Sequence, residues 1–134
     1  MLPALAIFIG YLLGSVNPAF FFGKILRGID IREHGTKNAG TTNTKKVLGI
    51  GPAIVTAIFD LSKGLIAIWI ASALGPPPVW AYLAGLSAIF GHIFPFYLNF
   101  RGGQGTATAV GLLFYLAIKL GLLGASAGAV FCPA

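Results

Sequence analysis

Long apolar runs, broken by short polar loops, constrain this chain more than any other feature. They cover about Leu2–Gly23, Ile50–Leu74 and Val79–Phe94, and a fourth begins near Thr106. The first two are long enough to cross a ~30 Å hydrocarbon core at 1.5 Å per helical residue. Only 9% of residues are charged, against 57% hydrophobic. A soluble domain carries roughly 25% charged residues, so lipid must solvate most of this surface. The expected fold is all-α: an integral membrane helix bundle of four helices plus a partial fifth, with short glycine-rich cytoplasmic loops. One transmembrane domain is expected over residues 1–134, incomplete at its C-terminus.

The fourth run meets Lys119. A lysine in mid-membrane costs at least ~2.5 kcal/mol. The preferred reading ends this helix near Ile118, turns at Lys119-Leu-Gly and starts a fifth helix. The N-terminal run has no basic flank and continues past Gly14-Ser15 to Phe22, so it is a retained helix rather than a cleaved signal. Ser15, Asn17 and Pro18 interrupt its second half.

Charge orients the bundle. Lys24, Arg27, Arg32, Lys37, Lys45 and Lys46 lie in the polar segment Lys24–Lys46, which includes the first loop, and Arg101 lies in the third loop, while the intervening Gly75-Pro-Pro-Pro turn has none. By the positive-inside rule the N-terminus faces outside, and both polar loops share the cytoplasmic side. That clustering explains the net charge of +6 better than nucleic-acid binding does, and no nucleic acid is expected.

The first loop, His34–Lys46, holds two glycines, two asparagines and four threonines. Glycines admit close backbone approach, and successive amides with hydroxyls can cradle an anion. The third loop contains Arg101-Gly-Gly-Gln-Gly105 at a helix start, which suits a phosphate. An ordinary solvated loop, or glycine used for helix packing, is the bland alternative at each place. His92 stands at the loop edge and is read as a catalyst or, more commonly for a lone interfacial histidine, a satisfied hydrogen-bonding residue. Asp60 and Lys63 share a helix face, as a structural ion pair or as the floor of a polar cavity. Cys132 is the single cysteine. No metal constellation and no GxSxG nucleophile elbow occurs in the sequence, so no metal or cofactor is expected.

Three stretches together resemble one family. Gly14-Ser15…Lys24, Gly35-Thr-Lys-Asn-Ala-Gly-Thr-Thr-Asn43 and Gly91-His…Pro95…Phe100-Arg-Gly-Gly-Gln-Gly-Thr-Ala-Thr108 are similar to the motifs of the bacterial acyl-phosphate:glycerol-3-phosphate acyltransferases, the PlsY family. Asp60-Leu-Ser-Lys-Gly64 resembles a further D-x-x-K-G element. The resemblance covers about residues 7–115. It implies transfer of a fatty acyl group from acyl-phosphate to glycerol-3-phosphate in the cytoplasmic membrane. The products are lysophosphatidic acid and phosphate, and this reaction begins phospholipid synthesis. It also implies no metal and no covalent acyl-enzyme.

By position, Thr36, Asn38, Gly40, Thr42 and Asn43 are expected to form one phosphate cradle. Arg101, Gly102, Gly103, Gln104 and Gly105 form the opposite wall. Ser15, Lys24, Lys46, His92 and Thr108 complete the substrate-binding set. Acyl-phosphate, glycerol-3-phosphate and membrane lipids are the implied partners. Four positions depart from the family pattern: Gln104 stands for lysine, Thr36 for serine, Lys37 for glycine and Lys46 for arginine. Relatives also continue through further helices, so this chain reads as C-terminally shortened. The alternative is an inactive relative that binds acyl-phosphate or lipid phosphate, associates with itself or pairs with a full-length enzyme. A channel subunit lined by Asp60 and Lys63 is a third class, disfavoured by two glycine-rich loops on one face.

Overall fold

Small residues decide how closely these helices approach. The computed structural model of the chain describes residues 2–75 and 77–119. Among the described residues, six α-helices run in the order α1 (Leu2–Ser15), α2 (Pro18–Arg27), α3 (Thr41–Leu48), α4 (Ile50–Ala73), α5 (Pro78–Ile93) and α6 (Thr106–Lys119). Among the described residues there is no strand. Residues 3–27, 50–73 and 78–98 are long and apolar enough to cross a membrane, and α6 is shorter.

α1 lies along α5. Side chains at Gly10 and Gly14 would collide with the backbone carbonyls of Ala84 and Ala88, and one at Gly91 would collide with that of Tyr11. Such contacts replace the hydrophobic drive that lipid removes. The Ser87 hydroxyl donates to the Ile7 carbonyl at 2.7 Å along the same seam. α6 packs on α4, where Gly111 meets the Leu61 backbone. The apolar centre comprises Ala6, Ile68, Ala71, Ala81, Ala84 and Leu112. Phe8, Ile58, Trp69, Phe90, Leu113 and Phe114 point outward, as a lipid-facing surface requires.

Two expectations are corrected here. The run Leu2–Gly23 is not one helix, because Asn17 is extended at φ −120° and caps α2 by accepting from the Phe20 amide at 3.1 Å. Pro18 then opens α2, where its missing N–H costs nothing. The polar segment Lys24–Lys46 is not all loop either. It contains the end of α2, a single 3-10 turn at Ile31–Glu33, and the start of α3. α6 runs through Ile118 to Lys119. The expected turn beyond it and the partial fifth helix lie outside the described residues.

Candidate functional site

The two glycine-rich loops fold onto each other at one end of the bundle, and side chains rather than apolar packing do most of the joining. Arg32 is the main tie. Its Nη1 donates to the carbonyls of Leu98 at 2.7 Å and Arg101 at 2.9 Å, and its Nη2 pairs with Asp30 at 2.7 Å. The guanidinium beside Asp30 holds that carboxyl below the usual carboxylate range, and the carboxylate raises Arg32 in turn. Asn17, fully buried, donates to the Ala39 carbonyl at 3.2 Å and so anchors the first loop to the α1–α2 break.

Asn43 shapes the first loop from within. Its Nδ2 lies 2.9 Å from each of the carbonyls of Ile31, His34 and Asn38, while its Oδ1 accepts from the Thr36 amide at 2.8 Å. A side chain at Gly35, where φ is +59°, would collide with Asn43 Oδ1. Lys37 also adopts a left-handed backbone, with φ +62°.

The third loop turns back over the end of α5. The Gly102 and Gly103 amides donate to the Ile93 and His92 carbonyls at 2.9 and 3.1 Å. A Cβ at Gly102 would strike the His92 carbonyl, and one at Gly103 would strike the His92 ring and crowd the Ala39 carbonyl. Glycine is therefore needed here for closeness.

Between the loops lies a cavity of about 390 Å³ lined by Thr36, Asn38, Gly40, Thr41, Thr42, Asp60, His92, Gln104, Gly105, Thr106 and Ala107. Two helices begin at it. The first intrahelical bond of α3 is Thr44 to Gly40, and that of α6 is Ala109 to Gly105. The amides of Thr41, Thr42 and Asn43 and of Thr106, Ala107 and Thr108 thus have no intrahelical acceptor. Gly40 supplies no side-chain cap. Two positive dipole ends and several hydroxyls converge on one space, an arrangement that favours an anion.

The cavity floor is ionic. Lys63 Nζ is 3.0 Å from Asp60 Oδ1, 2.6 Å from His92 Nδ1 and 3.2 Å from the Val16 carbonyl. All three side chains are at most 3% exposed. Asp60 and Lys63 form a buried pair, and Asp60 lines the cavity. Buried side-chain oxygens with no hydrogen-bond partner, those of Thr41, Thr56, Asp60 and Thr108, lie on or next to elements that border the same cavity.

Of the residues singled out from sequence, Thr36, Asn38, Gly40, Thr42, Asp60, His92, Gln104 and Gly105 meet at the cavity. Asn43, Gly102 and Gly103 stand behind its walls as scaffold, and Thr108 is buried against Gly64. Ser15 is buried and donates to the Tyr11 carbonyl at 2.7 Å. Lys24 and Lys46 are exposed and do not line the cavity, and Arg101 sits 3.9 Å from Glu33 at the surface. Two positioning residues, Arg32 and Asp30, were not singled out, and Asn17 was read only as an interruption of the first run and a helix–helix hydrogen-bonding residue. Asn17 before Pro18 carried a capping signal, whereas nothing local distinguished Arg32 from its basic neighbours.

A groove of about 340 Å³ runs between α4 and α6, lined by Leu61, Ser62, Leu65, Val110, Gly111 and Phe114. It adjoins the cavity in sequence, since Asp60 precedes Leu61 and Ala107 lies one turn before Val110 and Gly111.

Known proteins share this pattern. A family model described as glycerol-3-phosphate acyltransferase matches residues 4–132. A glycerol-3-phosphate acyltransferase of Shouchella clausii is 48% identical over 120 residues, covering 85% of this chain and 58% of that protein. Glycerol-3-phosphate acyltransferase 1 of Deinococcus radiodurans is 44% identical over 118 residues, covering 88% of this chain and 59% of its own. Among solved structures, the glycerol 3-phosphate form of PlsY (YgiH), an integral membrane glycerol 3-phosphate acyltransferase, matches with a TM-score of 0.77 at 32% identity. That match covers 90% of this chain and 60% of the other. The lysophosphatidic acid form gives 0.74 at 31%, covering 90% and 59%. This chain therefore spans under two thirds of the length of these relatives.

Proposed function

The chain belongs to the glycerol-3-phosphate acyltransferase family of integral membrane proteins, and from that premise we propose that it transfers a fatty acyl group from acyl-phosphate to glycerol-3-phosphate. One observation carries this reading most: two helix N-termini, that of α3 after Gly40 and that of α6 after Gly105, open onto a single cavity between the loops. Each presents free amides and a positive dipole end to a phosphate. Thr36, Asn38 and Thr42 add short polar contacts from one wall and Gln104 from the other.

The chemistry asks little else of the protein. Acyl-phosphate is a mixed anhydride whose leaving group is phosphate. A glycerol-3-phosphate hydroxyl oxygen attacks the acyl carbonyl carbon, the bond from that carbon to the phosphate oxygen breaks, and the hydroxyl proton passes to the departing phosphate. Lysophosphatidic acid and phosphate result, with atoms and charge balanced and no covalent acyl-enzyme. The protein aligns two bound groups and stabilises developing negative charge. The α4–α6 groove is apolar in its exposed lining and its residues neighbour those of the cavity in sequence, so on this reading it takes the acyl chain. The cavity faces the cytoplasm of a bacterial cell, as the six basic residues between positions 24 and 46 favour.

A second reading has its own support. No lysine or arginine lines the cavity, and Gln104 offers a neutral amide there. On this reading the chain binds acyl-phosphate or lipid phosphate without turning it over, alone or beside a full-length relative. Phosphate release from palmitoyl-phosphate by the purified chain in bilayers separates the two. Release that requires glycerol-3-phosphate and yields lysophosphatidic acid establishes the transferase. Saturable binding without release establishes the binding protein. Neither binding nor release by folded chain overturns both.

A further inference from the structure

Lys63 Nζ lies 3.0 Å from Asp60 Oδ1 as an ion pair, 3.2 Å from the Val16 carbonyl and 2.6 Å from His92 Nδ1. The closeness of the ammonium leaves no room for a proton on Nδ1. An N–H there would point at the ammonium from 2.6 Å. Its one nearby carboxylate, Asp60 Oδ1, is 3.6 Å away, too far to draw such a proton off. A ring nitrogen that accepts fixes the proton on the other nitrogen.

From this geometry we infer that His92 is held as the neutral Nε2–H tautomer by Lys63, and that it donates from Nε2 into the cavity to an anionic oxygen of the bound ligand. His92 is then a ligand-contacting donor, and Lys63 is the residue that positions it. Two observations support the direction of donation. His92 lines the cavity, and among the described residues no protein group accepts from Nε2. Gly103 lies against Nε2, where any side chain would cover it. Asp60 contributes by balancing the Lys63 charge, so the ring is polarised without a net positive charge under the site. The donor role rests on the reading of the cavity as a phosphate site; the tautomer does not.

The test uses the chain in detergent micelles with 15N-labelled histidine, and His34→Gln to assign the His92 signals. Without ligand, the expected two-bond pattern is that of a protonated Nε2 and a bare Nδ1. A protonated Nδ1, or an even mixture of tautomers, overturns the inference. Lys63→Gln should release the lock and bring Nδ1–H into the population; an unchanged tautomer removes Lys63 from the role. Glycerol-3-phosphate and inorganic phosphate are then titrated separately, following His92 Nε2 and the Thr42 amide. Glutamine at position 92 places an amide donor near the Nε2 position, and asparagine does not. His92→Gln should bind within about twofold of the parent and His92→Asn about tenfold more weakly, as loss of one hydrogen bond to a charged group requires. Equal weakening in both overturns the donor role. Ligand that moves Thr42 but not His92 overturns the inference and leaves the phosphate site standing. Ligand that moves neither overturns the phosphate site, and the ligand-free spectrum still decides the tautomer.

Discussion

Single residues set the strain and charge of this site. Lys37 occupies a left-handed conformation at φ +62°, at the motif position where glycine is usual in the resembling family. A Cβ there costs roughly 1–2 kcal/mol, partly offset by the greater freedom glycine has when unfolded. Lys37→Gly should therefore stabilise the chain by about 0.5–1 kcal/mol, read as a rise in the denaturation midpoint in detergent. A fall would mean that the lysine side chain makes a compensating contact. Gln104 poses the opposite problem, since its backbone fits but its charge does not. It lines a cavity with no lysine or arginine in its walls. Gln104→Lys should tighten inorganic phosphate binding by about tenfold, ~1.4 kcal/mol, measured by calorimetry. Unchanged affinity would move the phosphate away from the third loop.

Whole elements show what was readable and what was not. The two central spans were legible almost to the residue: Ile50–Leu74 was expected against Ile50–Ala73, and Val79–Phe94 against Pro78–Ile93. Their ends are marked by Gly49, the proline turn and Pro95, all local signals. α3 was missed. Its residues Thr-Thr-Asn-Thr-Lys-Lys have poor helix propensity and read as a polar loop. It forms because Asn43 and Thr44 are buried against the folded first loop, a tertiary effect invisible in a local window. The cost of missing it was the second helix N-terminus at the cavity. Asn43 was expected in the phosphate cradle, but its side chain faces the loop backbone instead. Asn43→Ala leaves buried carbonyls and the Thr36 amide without that partner, so it should destabilise by about 3 kcal/mol. Thermal unfolding measures this. A stability loss below 1 kcal/mol would show that water replaces the amide and that the loop does not depend on it.

At the scale of the molecule, the bundle brings residues 36–42 and 104–107 to one end and carries Gly75 to the other through α4 and back through α5. Either membrane orientation would preserve these contacts, so packing alone does not choose between them. Charge does. The cavity end bears Lys24, Arg27, Arg32, Lys37, Lys45, Lys46 and Arg101, and the 74–78 turn bears no charge. Translocating the cavity end would carry seven basic groups across, whereas the reverse carries one, Lys119, which shares a pocket with Pro78 at the far end. A single cysteine introduced at Gly75, with Cys132 replaced by serine, should react with a membrane-impermeant maleimide added outside intact cells. A cysteine at Lys37 should react only after the membrane is opened. The choice matters to function, because phosphorylated water-soluble acceptors and acyl-phosphate donors belong to the cytoplasm. Labelling of position 37 from outside would face the cavity away from those substrates. The transferase reading would then fail however well the cavity binds phosphate.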